Sequence, residues 1–158
     1  MRFIYFFFFL ISLNSLHANS IKCKFEEVYQ DGSIQSGQMF FDNGLLRYQY
    51  KDQQLFTIIF NKHYYVIRND NRSIVNKLEN DLVLNELKSI IKNYPKIENS
   101  YIKNDIKIKI YNSHKTSFIK RIAINSQKAN LSIYFVDCKF DKIPKTYFQP
   151  FSVHEMNQ

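Results

Sequence analysis

Gly37-Gln38-Met39-Phe40-Phe41-Asp42-Asn43-Gly44-Leu45-Leu46-Arg47-Tyr48-Gln49-Tyr50 is the stretch on which the fold turns. Asn43-Gly44 is a two-residue turn signal, because both residues readily take the positive φ that a tight hairpin demands. Leu46, Tyr48 and Tyr50 alternate with Arg47 and Gln49, which is the two-residue period of a strand. Residues 34–41 and 45–50 therefore read as a β-hairpin. The same pattern extends outward. Residues 21–30 form a strand ended by Asp31-Gly32-Ser33, and 51–54 turn the chain into a strand over 55–60. Asn61-Lys62 opens a further hairpin into 63–68, followed by a short strand at 73–78. Beyond residue 100, Ile106, Ile108 and Ile110 alternate with Lys107 and Lys109, and strands are expected over 118–125, 131–137 and 147–151. Short strands spaced by turns roughly every eight to twelve residues mark an antiparallel sheet.

One segment breaks the period. Asn80 or Asp81 can cap a helix over residues 82–94, in which Leu84, Leu87, Ile91 and Tyr94 make one apolar stripe, and Pro95 ends it. A meander this long must curl, and residues 55–60 and 131–136 are apolar on both faces. One short helix cannot cover that much surface. The interior is then either packed solid or an apolar cavity that takes a ligand.

The chain has 158 residues, enough for one domain, and its 45% hydrophobic content excludes wholesale disorder. The net charge of +8 is carried mostly by Lys in a chain where Ile, Lys and Asn supply about a third of all residues. That excess reads as compositional bias before it reads as function. The front is different in kind. Met1-Arg2 precedes an apolar run over 3–13, too short for the ~20 residues that span a bilayer. With Ala18-x-Ser20 behind it, residues 1–20 read as a cleavable signal peptide, leaving residues 21–158 as one exported domain in the periplasm. In such an oxidising compartment Cys23 and Cys138 either pair or stay as separate buried thiols; the sequence leaves both open.

No catalytic pattern emerges. The histidines at 17, 63, 114 and 154 are scattered, and phosphate-binding Gly loops, nucleophile elbows and Cys-x-x-Cys pairs are missing. Glu26 and Glu27 adjoin and so face opposite sides of a strand. The expectation is a non-enzyme without metal or cofactor. Lys103, Lys107 and Lys109 with Tyr101 and Tyr111 make a basic, aromatic-flanked group. A solvated strand face is the reading taken over a nucleic-acid surface, with contact to anionic lipid between the two.

The order of these elements carries a resemblance. Phe25-x-x-x-Tyr29-x-Asp31-Gly32, then the stretch from Gly37 to Tyr50, is followed by Thr57-Ile58-Ile59-Phe60-Asn61-Lys62 with Tyr64-Tyr65-Val66-Ile67. Leu131-Ser132-Ile133-Tyr134-Phe135 with Ile143-Pro144 and Phe148-Gln149-Pro150 completes the set. Together they resemble the LolA family, periplasmic carriers of outer-membrane lipoproteins. The resemblance implies a mainly β fold, an unclosed antiparallel half-barrel with a helical lid as in LolA and LolB. It implies an acyl-chain cavity at Phe40, Leu46, Tyr48, Tyr50, Phe56 and Ile58, and a lid carrying Leu84, Leu87 and Ile91. It further implies triacylated lipoproteins as cargo, an inner-membrane ABC-type releasing complex as donor, and a LolB-like outer-membrane receptor as acceptor. Neither a cofactor nor nucleic acid belongs to that picture. Two departures stand out. The first strand follows almost directly after the export segment, where the family has an amphipathic lid helix, and Asp42-Asn43 replaces the family's basic residue and Pro before the turn. A general periplasmic carrier or sensor of fatty acids or other lipids is the alternative on the same scaffold, and a solid structural domain is a third.

Overall fold

The computed structural model describes residues 20–70, 74–78, 82–113, 118–127 and 130–150. Residues 1–19 of the expected signal peptide and the helix cap expected at Asn80 or Asp81 lie outside them, whereas Ser20 opens the first strand. The described residues form one antiparallel sheet, not closed, with one α-helix. The strands are β1 (Ser20–Tyr29), β2 (Ile34–Asp42), β3 (Leu45–Tyr50), β4 (Phe56–Asn61), β5 (His63–Arg68), β6 (Ile74–Leu78), β7 (Ser100–Lys103), β8 (Ile106–Asn112), β9 (Ile119–Asn125) and β10 (Asn130–Lys139). The helix α1 spans Leu82–Asn93. Spatial order is β6-β5-β4-β3-β2-β1-β10-β9-β8-β7, so chain neighbours pair throughout, and β1 and β10 meet in the middle.

The deciding hairpin forms as its residues require. Asn43 and Gly44 have φ of 48° and 88°, and the two-residue loop sets Asp42 opposite Leu45, Phe41 opposite Leu46 and Phe40 opposite Arg47. Two expectations fail. Residues 147–151 were expected as a strand, but Lys145–Phe148 is a 3-10 turn after Pro144, and residue 151 lies outside the described residues. Ile143 and Phe148 bury against Phe40 there, and Arg47 and Asn61 side chains hold the carbonyls of Tyr147 and Phe148, which a strand could not offer together. The strand β7 was not expected. Asn104 and Asp105, with φ of 49° and 61°, make its hairpin to β8, since short polar side chains tolerate the left-handed region.

The sheet curls. Tyr64 on β5 donates to Asn85 Oδ1 at 2.9 Å, while Tyr101 on β7 donates to Glu86 Oε2 at 3.1 Å. Asn85 and Glu86 are neighbours on α1, yet β5 and β7 are eight strand spacings apart, roughly 38 Å in a flat sheet. Only a curled sheet brings both to one helix. The inner face holds the core: Ile21, Cys23 and Phe25 of β1, Met39 and Phe41 of β2, and the isoleucines of β8 and β9, all packed with Leu87, Ile90 and Ile91.

A bulge aligns the cysteines. Between Lys22↔Lys139 and Lys24↔Val136, the single Cys23 faces two residues, Asp137 and Cys138. Asp137, with φ of 51°, takes the extra position and pairs outward with Lys24 at 2.8 Å, which turns Cys138 to the inner side. The pair forms a disulfide with Cα atoms 4.1 Å apart, closing a loop of 115 residues. Removing it by Cys23→Ala with Cys138→Ala is expected to lower unfolding free energy by about 2–4 kcal/mol in denaturant titrations; an unchanged midpoint would mean that the cross-link adds nothing to this fold. Gly37 supplies the second expectation. A methyl there would run into the Gln49 carbonyl oxygen and the Phe25 ring edge. Gly37→Ala should destabilise by about 1–3 kcal/mol, read in the same titration, and a neutral result would show that the β3 backbone at Gln49 as well as the Phe25 ring can give way.

Candidate functional site

The hollow of the sheet is the site that the fold creates, and α1 occupies it. The helix forms because its apolar residues recur every three or four positions, and it buries Leu84, Leu87, Ile90 and Ile91 on one side. Leu87 is only 1% exposed. Its flanks are attached by polar contacts. Glu86, itself buried, accepts from Tyr101 and forms an ion pair with Lys103. On the other side Asn85 meets Tyr64, and Lys88 Nζ stands 3.4 Å from the Phe60 ring centroid. Burial, aided by the Lys92 charge, holds the Lys88 ammonium below its ordinary range.

The residues expected to line an acyl cavity divide. Leu46, Tyr48, Tyr50 and Ile58 share the inner face with the core that α1 covers. Phe56 is 38% exposed and stands apart from the buried core. Phe40 lies on the outer face, with Ile143, Phe148 and Tyr147. The hairpin register dictates this: Phe40 is opposite Arg47, so it cannot share a face with Leu46 or Tyr48. All three expected lid residues, Leu84, Leu87 and Ile91, are buried. The basic group also splits. Tyr101 and Lys103 turn inward to Glu86, whereas Lys107, Lys109 and Tyr111 are exposed.

The sequence reading missed the polar centre of the inner face. Glu27 follows Ile21, Cys23 and Phe25 at every second position, so strand parity alone places it inward, and it is buried. Three phenols satisfy it. Tyr48 donates to Oε1 at 2.8 Å, and Tyr29 and Tyr50 donate to Oε2 at 2.6 and 3.0 Å. Phe25 stacks on Tyr48 with ring centroids 3.9 Å apart, and Tyr50 meets both rings edge-on. Hydroxyl bonds to an acidic side chain are strong in a dry setting, so this end of the hollow is fixed while the helix end is held by flanking contacts.

Among the described residues no three His, Cys, Asp or Glu side chains gather where a metal ion could be held, and no helix is long and apolar enough to cross a membrane. No protein-family model matches the chain, and no curated protein matches it in sequence.

The tyrosines carry a pH consequence. Burial first, and Glu27 next, raise Tyr48 and Tyr50 well above the ordinary phenol range; for Tyr29 burial leads and the hydrogen bond to Glu27 adds to it. The folded state therefore keeps protons that the unfolded chain loses. The stabilisation is complete below the unfolded phenol value and is lost as pH climbs above about 10. Alkaline titration should show unfolding and tyrosinate absorbance from these residues rising together, with Tyr48→Phe removing part of the coupled signal. Ionisation of all the tyrosines near their ordinary value in a still-folded protein would contradict the assignment.

Proposed function

We propose that the protein carries the acyl chains of lipoproteins in an exported compartment, with α1 as the lid over the hollow. The observation that carries this reading is the combination of an unclosed, curled sheet with one amphipathic helix seated in its concave face. The helix presents the same kind of surface, a stripe of Leu and Ile, that acyl chains would offer in its place. Exchange of one apolar occupant for another leaves the wall largely indifferent in hydrophobic energy. Among the described residues its balance is then set by the flanking contacts of Asn85, Glu86 and Lys88, which can be remade. Each buried methylene of a lipid chain contributes about 0.8 kcal/mol, so a carrier needs such a competing occupant to release its load. Cargo would arrive from an ABC-type releasing complex and leave to an outer-membrane receptor. The reading asks nothing of covalent chemistry.

Two measurements test it. Protein recovered from its native host and analysed by mass spectrometry should carry acylated lipoprotein; free fatty acid or phospholipid alone would favour a general lipid carrier. A fluorescent triacylated lipopeptide should bind in solution, and Lys103→Gln, which loosens the lid at Glu86, should tighten apparent affinity about twofold to fivefold. Absence of binding, or weaker binding by a folded Lys103→Gln variant, would defeat the lid mechanism.

A further inference from the structure

Strands β7, β8 and β9 carry five cations, Lys103, Lys107, Lys109, Lys120 and Arg121, and no Asp or Glu. Lys103 is taken up by Glu86 of α1. Lys107, Lys109 and Arg121 lie on the face away from the helix, because they alternate with Ile106, Ile108, Ile110 and Ile122 of the core. Lys120 is the extra residue of a bulge beside them and is exposed. Among the described residues no carboxylate pairs with Lys107, Lys109 or Lys120. Arg121 is met by rings instead. Its guanidinium carbon stands 4.2 Å from the Tyr111 ring centroid and 5.7 Å from that of Tyr134. Ring faces attract a guanidinium without neutralising it. Asp105 in the β7–β8 turn and Glu26, opposite Tyr134 on β1, border the patch. Apolar tips stand among these charges. Ile102, opposite Lys107 on the edge strand, is 72% exposed, and Tyr111 is 41% exposed. An apolar tip flanked by ammonium groups suits a bilayer interface, where the tip enters between headgroups and the cations meet phosphates. A nucleic acid uses free ring faces to stack its bases, and the Tyr111 ring already has Arg121 over it.

We propose that the outward side of β7, β8 and β9 docks on an anionic phospholipid surface, with Lys107, Lys109 and Lys120 against the headgroups and Ile102 entering between them. The inference does not depend on the acyl-chain reading, because it uses outward side chains and holds whether or not the hollow takes lipid. It does bear on the lid. Ile102 lies between Tyr101 and Lys103, which fasten Glu86, so the strand set against the membrane is the one that holds α1. The disulfide-bonded protein is sedimented with mixed phosphatidylglycerol and phosphatidylcholine vesicles and with pure phosphatidylcholine vesicles, and is titrated separately with a single-stranded oligonucleotide. Binding to the mixed vesicles that weakens as salt rises is expected, with little on phosphatidylcholine. Lys107→Glu with Lys109→Glu should weaken it about tenfold or more. Lys51→Glu with Lys62→Glu, the same change of net charge at exposed turns elsewhere, should cost no more than about twofold. Ile102→Ser, which keeps every charge, should cost about threefold on vesicles. The proposal is overturned by absence of binding to the mixed vesicles, with or without binding of the oligonucleotide, or by equal binding to phosphatidylcholine. Equal losses in the two double variants, or an Ile102→Ser protein that binds vesicles undiminished, would overturn it as well.

Discussion

The structure depends on a crossing. The chain leaves the sheet at β6, one edge, and re-enters at β7, the opposite edge. Everything between must bridge the two, and α1 is what bridges them. A flat ten-stranded sheet would put those edges far beyond the reach of a helix of 12 residues, about 18 Å long. Curling shortens the path, and the helix then fills the space that curling creates. Connectivity, curvature and core are in this sense one solution: the inner faces of β1, β2, β3, β8, β9 and β10 are buried largely because the helix has to cross in front of them.

Two buried acids mark the ends of that solution. Glu27 is gripped by phenols on its own strand and on β3, near the centre of the sheet, where nothing needs to move. Glu86 sits on the helix and is satisfied by the edge strand β7 through Tyr101 and Lys103. Each would be expensive to bury without such partners. Their different settings distribute rigidity, firm at the centre and exchangeable at the edge. The outer face follows another logic: a separate cluster around Phe40 and Phe148 braces β3 and β4, and a groove lined by charged residues lies beside it.

Much of this was legible in the residues. Asn43-Gly44 announces its hairpin, most strand positions follow from alternation, and the stripe of Leu84, Leu87 and Ile91 marks the helix that fills the hollow. The mainly β, antiparallel architecture was in the pattern, and the unclosed sheet only in the resemblance; a closer kinship with any half-barrel family remains part of the proposal. The misses have physical causes. The resemblance grouped Phe40 with Leu46 and Tyr48, whereas counting back from the two-residue turn sets Phe40 opposite Arg47 on the outer face and Phe41 opposite Leu46 on the inner one. Residues 147–151 look strand-like because they are aromatic, but Pro144 and the pocket for Phe148 favour a turn. Strand β7 is only four residues long, and its turn uses Asn104-Asp105 without a glycine. Glu27 was visible by parity; its three tyrosines were not, since they come from two strands and meet only after pairing. The bulge at Asp137 has no local signal that alternation could detect, and it alone decides whether Cys138 looks inward.

The pairing of β1 with β10 has a temporal side. β1 finds β2 at once across a short turn, but its other edge waits for a strand that follows every other one described. Until β10 arrives, an open row of amides and an unpaired thiol remain in the middle of the future sheet. Contacts this distant in sequence slow folding and lengthen exposure to wrong partners. The Cys23–Cys138 bond lies across the β1–β10 register. Once made, it keeps the first and last described strands together, so the pairing that is hardest to find is also the one the chain need not find twice.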